Sequence, residues 1–476
     1  MSARSRAVFC GLIAIGALAA GAAPAGAHAS LAGSTPPAGG HVPRTAASEV
    51  AGRSPKVTLR FSEAVHIVNR SDVTVVNRRG ARVDAGDPRR AGGDQRSVVV
   101  SLRAALISGS YTVRYRVVSA DSHAVDGAFV FAVGRAPLGP PILAGSGGLS
   151  DTSPAAVGAR VAELAALGLL LGLLAFRALV WGPAVGATRG LRADERETAL
   201  QHGQHLFWHA FWALAVFAGL AETAVLVAKT AVVFHVGLAA ALVHPADASR
   251  LIAATRFGDL LGWRSGALFA LVAVGFVAWT AEAGRAPSAG RRRPLAAMAL
   301  LAIAALTLLA GQGHASQAPL APLSIAADTG HLAAAAVWIG GLPWLIAVLL
   351  GAPRALPAHG RALASATLSR FSRIAFWSVV ILAITGAARM AGEMSAPDQL
   401  WSTDYGRNLA VKVALLVPIM MLVARSRRLV ATLADGTSPT AARLRVVARN
   451  VKMELAIAAG IITLAALLVA QIPGRA

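Results

Sequence analysis

Tyr111-Thr112-Val113-Arg114-Tyr115-Arg116-Val117 alternates aromatic or aliphatic side chains with polar ones. Successive side chains of a strand point to opposite faces, so this pattern describes a strand with one buried and one solvated face. Working outward, residues 57–61, 73–76, 97–103 and 128–133 also read as strands, with clusters of Gly, Pro, Asp and Asn between them at intervals of about ten residues. This spacing predicts a small β-sandwich over residues 28–135.

Beyond it the composition changes. Residues 136–154 are rich in Gly, Pro and Ser and read as a linker. Eight apolar runs follow, at 156–181, 206–228, 262–282, 294–312, 328–350, 372–392, 407–424 and 452–471. Each is near the length of about 20 residues that a bilayer core demands, so residues 155–476 are expected to form an all-α polytopic membrane domain. The stretch 232–243 is short for a ninth crossing and reads as interfacial or re-entrant. The whole chain is 55% hydrophobic and only 14% charged, against about a quarter charged in soluble domains.

The net charge of +22 raises a nucleic-acid partner, but the placement of the charge argues against one. Arginines of the second half cluster in short loops between apolar runs, as at Arg291-Arg292-Arg293 and Arg425-Ser426-Arg427-Arg428. That is the positive-inside pattern of a membrane protein in contact with the lipid bilayer. Arg4 and Arg6, the apolar stretch 8–20 and Ala25-Gly26-Ala27 form a signal peptide with a cleavage site. Cleavage after Ala27, the favoured site, makes His28 the first mature residue, whereas Ala27-His28-Ala29 also fits the pattern and cleavage there would remove it. Export of the β-domain puts loops 182–205, 283–293, 351–371 and 425–451, which hold most of the second half's arginine, in the cytoplasm. The reading is a multi-pass plasma-membrane protein with its N-terminal domain extracytoplasmic.

The only cysteine, Cys10, lies in the signal region, so metal chemistry falls to His, Asp, Glu, Met and the backbone. A mature His28 offers its α-amine and an imidazole. Asp121 and His123 are two apart and share one face of an extended segment. Three nitrogens and an oxygen suit tetragonal Cu(II). Two histidines and an aspartate in about a hundred residues also arise by chance, and spacing alone leaves both readings open.

Four blocks carry a more specific signal. His28-Ala29-Ser30-Leu31, Ser34-Thr35-Pro36-Pro37-Ala38-Gly39, Arg60-Phe61-Ser62-Glu63-Ala64-Val65 and the run Val117-Val118-Ser119-Ala120-Asp121-Ser122-His123-Ala124-Val125-Asp126-Gly127 resemble, in order, the conserved blocks of the CopC family. The resemblance implies a cupredoxin-like (Ig-like) β-sandwich whose Cu(II) site is built from His28, Asp121 and His123. Ser122, Ala124 and Ala64 depart from the family pattern without removing a ligand. Some relatives carry a Met-rich Cu(I) site, but residues 28–135 contain no Met, so one Cu(II) site and no Cu(I) site is expected there. His41 and His66 read as surface histidines, with His66 an alternative outer ligand.

In the membrane half, charged groups inside apolar spans cost roughly 2.5–3.5 kcal/mol each and call for a reason. Glu163 and Glu222 fall in the outer halves of the first two spans. His314 follows the fourth, Asp328 and His331 share a face of the fifth, and Met390 and Met394 end the sixth. Glu222, His314, Asp328, His331, Met390 and Met394 are the candidate copper ligands on this side, the two thioethers suiting Cu(I). The competing reading pairs Glu163 with Arg160, sets Glu222 against a polar neighbour and gives the methionines a gap-filling role. His202, His205 and His209 read as a solvated basic face or as a release point. Ala327-Asp328-Thr329-Gly330-His331-Leu332, the run from Val337 to Leu342, Arg370-Phe371-Ser372-Arg373 and Tyr405-Gly406-Arg407-Asn408-Leu409 with Lys412 resemble the CopD family. That resemblance implies copper movement across the inner membrane, with uptake favoured over export.

The expected function is capture of Cu(II) outside the membrane, from a copper donor protein, and its passage to the membrane half in copper homeostasis or resistance. Simple copper buffering is the alternative. A histidine-brace oxidative enzyme is disfavoured, because Asp121 would fill a position that oxygen needs. No G-x-x-x-x-G-K-[ST] loop is present, so no ATP-driven pump of that class is expected.

Overall fold

The computed structural model describes residues 29–43, 55–103, 106–120, 123–142, 150–282, 292–317, 320–394, 396–431 and 440–471. Among them, the N-terminal part forms β1 (Leu31–Thr35), β2 (His41–Val42), β3 (Lys56–Phe61), β4 (Val65–His66), β5 (Val73–Asn77), β6 (Arg89–Ala91), β7 (Asp94–Ser101), β8 (Gly109–Ser119) and β9 (Ala124–Val133). One sheet runs β1-β3-β7-β6. The other runs β2-β9-β8-β4, with β5 also paired to β8. All pairings are antiparallel except β2 with β9. Tyr111, Val113 and Val117 of β8 turn inward onto Val57, Leu59, Val98 and Val100 of the opposite sheet, as the alternation predicts. The two inner faces enclose one apolar core, which makes this part a sandwich.

The opposite face of β8 breaks the expected pattern. Val118 is buried, not solvated, because it packs against Ala159, Val225, Ala228, Val233, Leu251 and Phe257 of the helical half. An apolar residue in the wrong phase of a strand marks a second covered surface.

Among the described residues, eight helices are long and apolar enough to cross a membrane, matching the eight expected. They are spans 1 (Pro154–Ala187), 2 (Ala193–Phe234), 3 (Arg256–Glu282), 4 (Arg293–Ala310), 5 (Ala321–Ala355), 6 (Gly360–Ala391), 7 (Asp404–Ser426) and 8 (Ala441–Ala470). Span 2, with 42 residues, is about 63 Å long and overruns a hydrocarbon core of about 30 Å. The stretch at 232–243 resolves into the end of span 2 and a short helix, Leu238–Val243. Spans 1 and 5 touch backbone to backbone where Gly172 faces Gly340 and Gly340 faces Gly168. A Cβ at Gly172 or Gly340 would run into the other helix, so this crossing depends on small residues four apart.

Described parts of the linker are tied down. Gly139 N donates to Ser110 Oγ at 3.0 Å, and Ile142 N to Thr112 Oγ1 at 3.1 Å. Lys229 of span 2 bonds Asp151 at 2.8 Å.

Between β4 and β5, Asp72 accepts the amides of Val68 (2.6 Å) and Asn69 (2.9 Å). Burial pushes its carboxyl up to about 6, against the pull of these amides and Arg116. The folded state then keeps this proton longer than the unfolded chain does. The group's contribution favours folding most below about pH 4, and stability falls as pH rises to about 6. The difference corresponds to about 3 kcal/mol. Pulse proteolysis of the β-domain in urea, on the detergent-solubilised chain, should show this decline. Asp72→Asn should flatten it, and an unchanged slope in the variant would refute the assignment.

Candidate metal centre

The first described residues and the β8–β9 turn meet at one end of the sandwich. Ala29 is buried in the core, 3% exposed. Ser30 N donates to Ser62 Oγ, and Ser62 N to Ser30 O, each at 2.9 Å. Ser62 opens the turn into β4, whose Val65 pairs with Ser119. Ser119 then closes the β8–β9 turn: its amide and its hydroxyl donate to the His123 carbonyl (2.9 and 3.1 Å), and the His123 amide donates to its hydroxyl (3.2 Å). His28 and Asp121 lie outside the described residues. Their immediate neighbours, Ala29 and the Ser119–His123 closure, stand at the same end.

His123 is 7% exposed. Its Nε2 donates to the carbonyl of Val469, near the end of span 8, at 2.9 Å. That bond places the ring's lone pair on Nδ1. A backbone carbonyl holding the far N–H is the usual way a metal-binding imidazole is oriented, so this ring fits a copper ligand. A polar pocket opens beside it, lined by Asp151, Arg160, Lys229, Val469 and Ala470. Burial works against the charged form of Asp151, but Lys229, His123 and the Ala124 amide together hold its carboxyl below the usual range.

His66 is half-buried, not a free surface ring. It meets the backbone of Ala254 and accepts Arg90 Nη2 at 3.2 Å, and burial, aided by Arg90, lowers its basicity. His41 bonds the Ala136 carbonyl at 3.2 Å.

In the membrane half Glu163, Glu222 and Asp328 are engaged with arginine. Arg264, fully buried, donates to Glu222 through Nε (2.6 Å) and Nη2 (3.0 Å), to Gln312 through Nη1 (3.0 Å), and meets Glu163 at 2.5 Å. Arg160 also pairs with Glu163 at 2.6 Å. A second cluster holds Asp328, which pairs with Arg389 at 2.8 Å. Arg389 also bonds Glu393 at 3.0 Å, Tyr405 donates to Glu393, and His331 Nδ1 meets Thr385 Oγ1 at 2.9 Å.

The candidate membrane ligands therefore divide between two clusters. Glu222 belongs to the first, and Asp328 and His331 to the second. Met390 is 39% exposed at the end of span 6, with Met394 one turn on. His314 begins the 3-10 turn His314–Gln317. Among the described residues no group of three or more His, Cys, Asp or Glu is placed to hold a metal. His202, His205 and His209 lie on the exposed side of span 2, with His202 at the rim of an apolar pocket containing Trp181, Phe207 and Trp344. The sequence reading passed over Arg264, Arg389 and Glu454. Their visible signal was a charge inside an apolar run.

Comparison with known proteins agrees with this two-part architecture. Residues 41–134 match the CopC domain. Residues 150–319 match the copper resistance protein D-like N-terminal domain, and residues 365–468 match copper resistance protein D. The chain thus carries a CopC domain and CopD domains in one polypeptide, an eight-span membrane region behind a β-sheet domain. It is similar to the copper transport protein CutJ of Bacillus subtilis (strain 168), 26% identical over 377 residues. The match covers 79% of this chain and 64% of CutJ, so it spans under two thirds of that relative. Crystal structures of CopC from Methylosinus trichosporium OB3b and of PcoC, a methionine-rich copper resistance protein from Escherichia coli, each share 26% identity. They match 24% and 22% of this chain and 99% and 98% of their own, each with a TM-score of 0.18.

Proposed function

We infer that this chain captures Cu(II) at the end of its sandwich and hands copper to the membrane half for passage across the plasma membrane, inward. The ligands are His28, through α-amine and ring, with Asp121 and His123. The observation that supports the reading best is the bond from His123 to the Val469 carbonyl. It sets the metal-bearing turn directly over the ends of spans 1, 2 and 8, beside a polar pocket. Copper released from His123 enters that pocket without diffusing through solvent. Asp151 and Lys229 line it as an ion pair that can open toward a cation. The N-terminal signal and the arginine-rich loops orient this end outward.

Cells expressing the full chain should accumulate more copper from limiting medium than cells with an empty membrane. Expression of the His123→Ala chain should lose most of that gain. Equal cell copper in all three would sink the reading, and a fall below the empty-membrane level would reverse its direction.

A further inference from the structure

Span 8 contains a single acid, Glu454, the fourteenth of its 30 residues. A helix of that length is about 45 Å long, and its apolar run covers residues 452–471, so Glu454 lies in the half of the bilayer away from the β-domain. It is 3% exposed. Among the described residues no ion pair or hydrogen bond reaches its carboxyl.

Span 8 packs against span 1, the second half of span 5 and span 7; Arg407 of span 7 pairs with Asp404, Arg425 is exposed, and the other charges are engaged elsewhere. Arg160 holds Glu163, Arg177 holds Glu282, Arg354 bonds the Leu350 carbonyl, and Lys412 lies among Arg389, Glu393 and Asp328. The polar groups on the same buried side are Asn450, one turn back, and Ser426 of span 7, which accepts Asn450 Nδ2 at 3.3 Å. Lys452 and Arg449, on span 8 itself, are exposed on its other sides.

A carboxylate without a counter-charge in such surroundings costs several kcal/mol. The group therefore resides there with a proton or a cation. We propose that Glu454 is a proton-exchange site linked to cation passage: its carboxyl releases H⁺ when a monovalent soft cation comes alongside and takes one back when the ion leaves. In the forward step the O–H bond breaks, the electron pair stays on the carboxylate, and the cation supplies the opposing charge. The buried site is neutral before and after. A divalent ion would leave one uncompensated positive charge, so the exchange matches one proton to one monovalent ion. Oxygen donors alone hold a soft ion weakly, which suits transit and not storage. This proposal rests on the copper-transport reading and adds its ionic coupling.

The test uses the intact chain in proteoliposomes, with Ag(I) as a redox-inert probe and a pH-sensitive dye in the lumen. Ag(I) entry should raise lumen pH by about one proton per ion. Glu454→Gln should slow entry at least 10-fold and abolish the pH change, with unchanged thermal melting and an unchanged cupric signal from the β-domain. Ag(I) entry without proton movement, or a Glu454→Gln chain equal to wild type, would overturn the proposal. Infrared difference spectra provide a readout independent of transport. A protonated-carboxyl band that Ag(I) removes, and that Glu454→Gln lacks, is expected. If that band responds while wild type moves no cation, the transport reading fails and the site stands. If the band is absent or indifferent to Ag(I), the site fails.

Discussion

Replacing Arg264 by methionine should destabilise the membrane half by about 3–5 kcal/mol, the cost of leaving buried acids without their partner. Arg264 is enclosed on three sides by Glu222, Glu163 and Gln312, and none of it reaches the surface. Removing the guanidinium leaves two nearby carboxylates, with only Arg160 to offset them. Size-exclusion and thermal melts of the detergent-solubilised chain should show loss of folded protein. The triple change Arg264→Met, Glu163→Gln, Glu222→Gln should recover most of the loss, because neutral side chains of similar size need no counter-charge. A single Arg264→Met chain that melts like wild type would show that the three groups do not form one ion-paired unit. A triple variant as damaged as the single would show that packing, not charge, is at stake.

His123→Ala should weaken Cu(II) binding by about 100-fold or more, since losing even a partner that orients a metal ligand costs 10–100-fold. The ring sits where the sandwich's ligand end meets the membrane half, with Nε2 committed to Val469. Cupric electron paramagnetic resonance of the intact chain, with competition against a chelator, measures both affinity and nitrogen count. The variant should lose one nitrogen from the cupric spectrum. An unchanged spectrum and stoichiometry would place the copper elsewhere. Because Ser119 holds the turn through the His123 backbone and not through its ring, the variant should keep the β8–β9 hairpin, which separates ligand loss from unfolding.

The strands and spans were legible for a local reason. Alternation in Tyr111–Val117 and twenty-residue apolar runs express constraints that act within one element. The structure lengthens β8 to Gly109–Ser119 and β9 to Ala124–Val133 and extends span 2 well past its apolar run, without changing their order. Legibility was lower at the polar groups. Glu163 and Glu222 stood out as costly acids, but their shared partner lies 101 and 42 residues away in the chain. Arg264, the one base in an apolar run, was the available clue. Asp328 and His331 share a helix face as expected, yet Arg389 and Thr385 of span 6 take them up.

By itself the sequence determined a sandwich joined to eight spans and the chemical types of the candidate copper ligands. Each of these depends on periodicity, length or a contiguous motif. Only the tertiary structure decided that Val118 is covered, that His123 rests on span 8, and that Arg264 and Arg389 take up Glu163, Glu222 and Asp328 while, among the described residues, no ion pair or hydrogen bond reaches Glu454. Those outcomes depend on which distant surfaces meet. A buried charge is settled by whatever partner the fold brings within about 3 Å, and no local pattern encodes that.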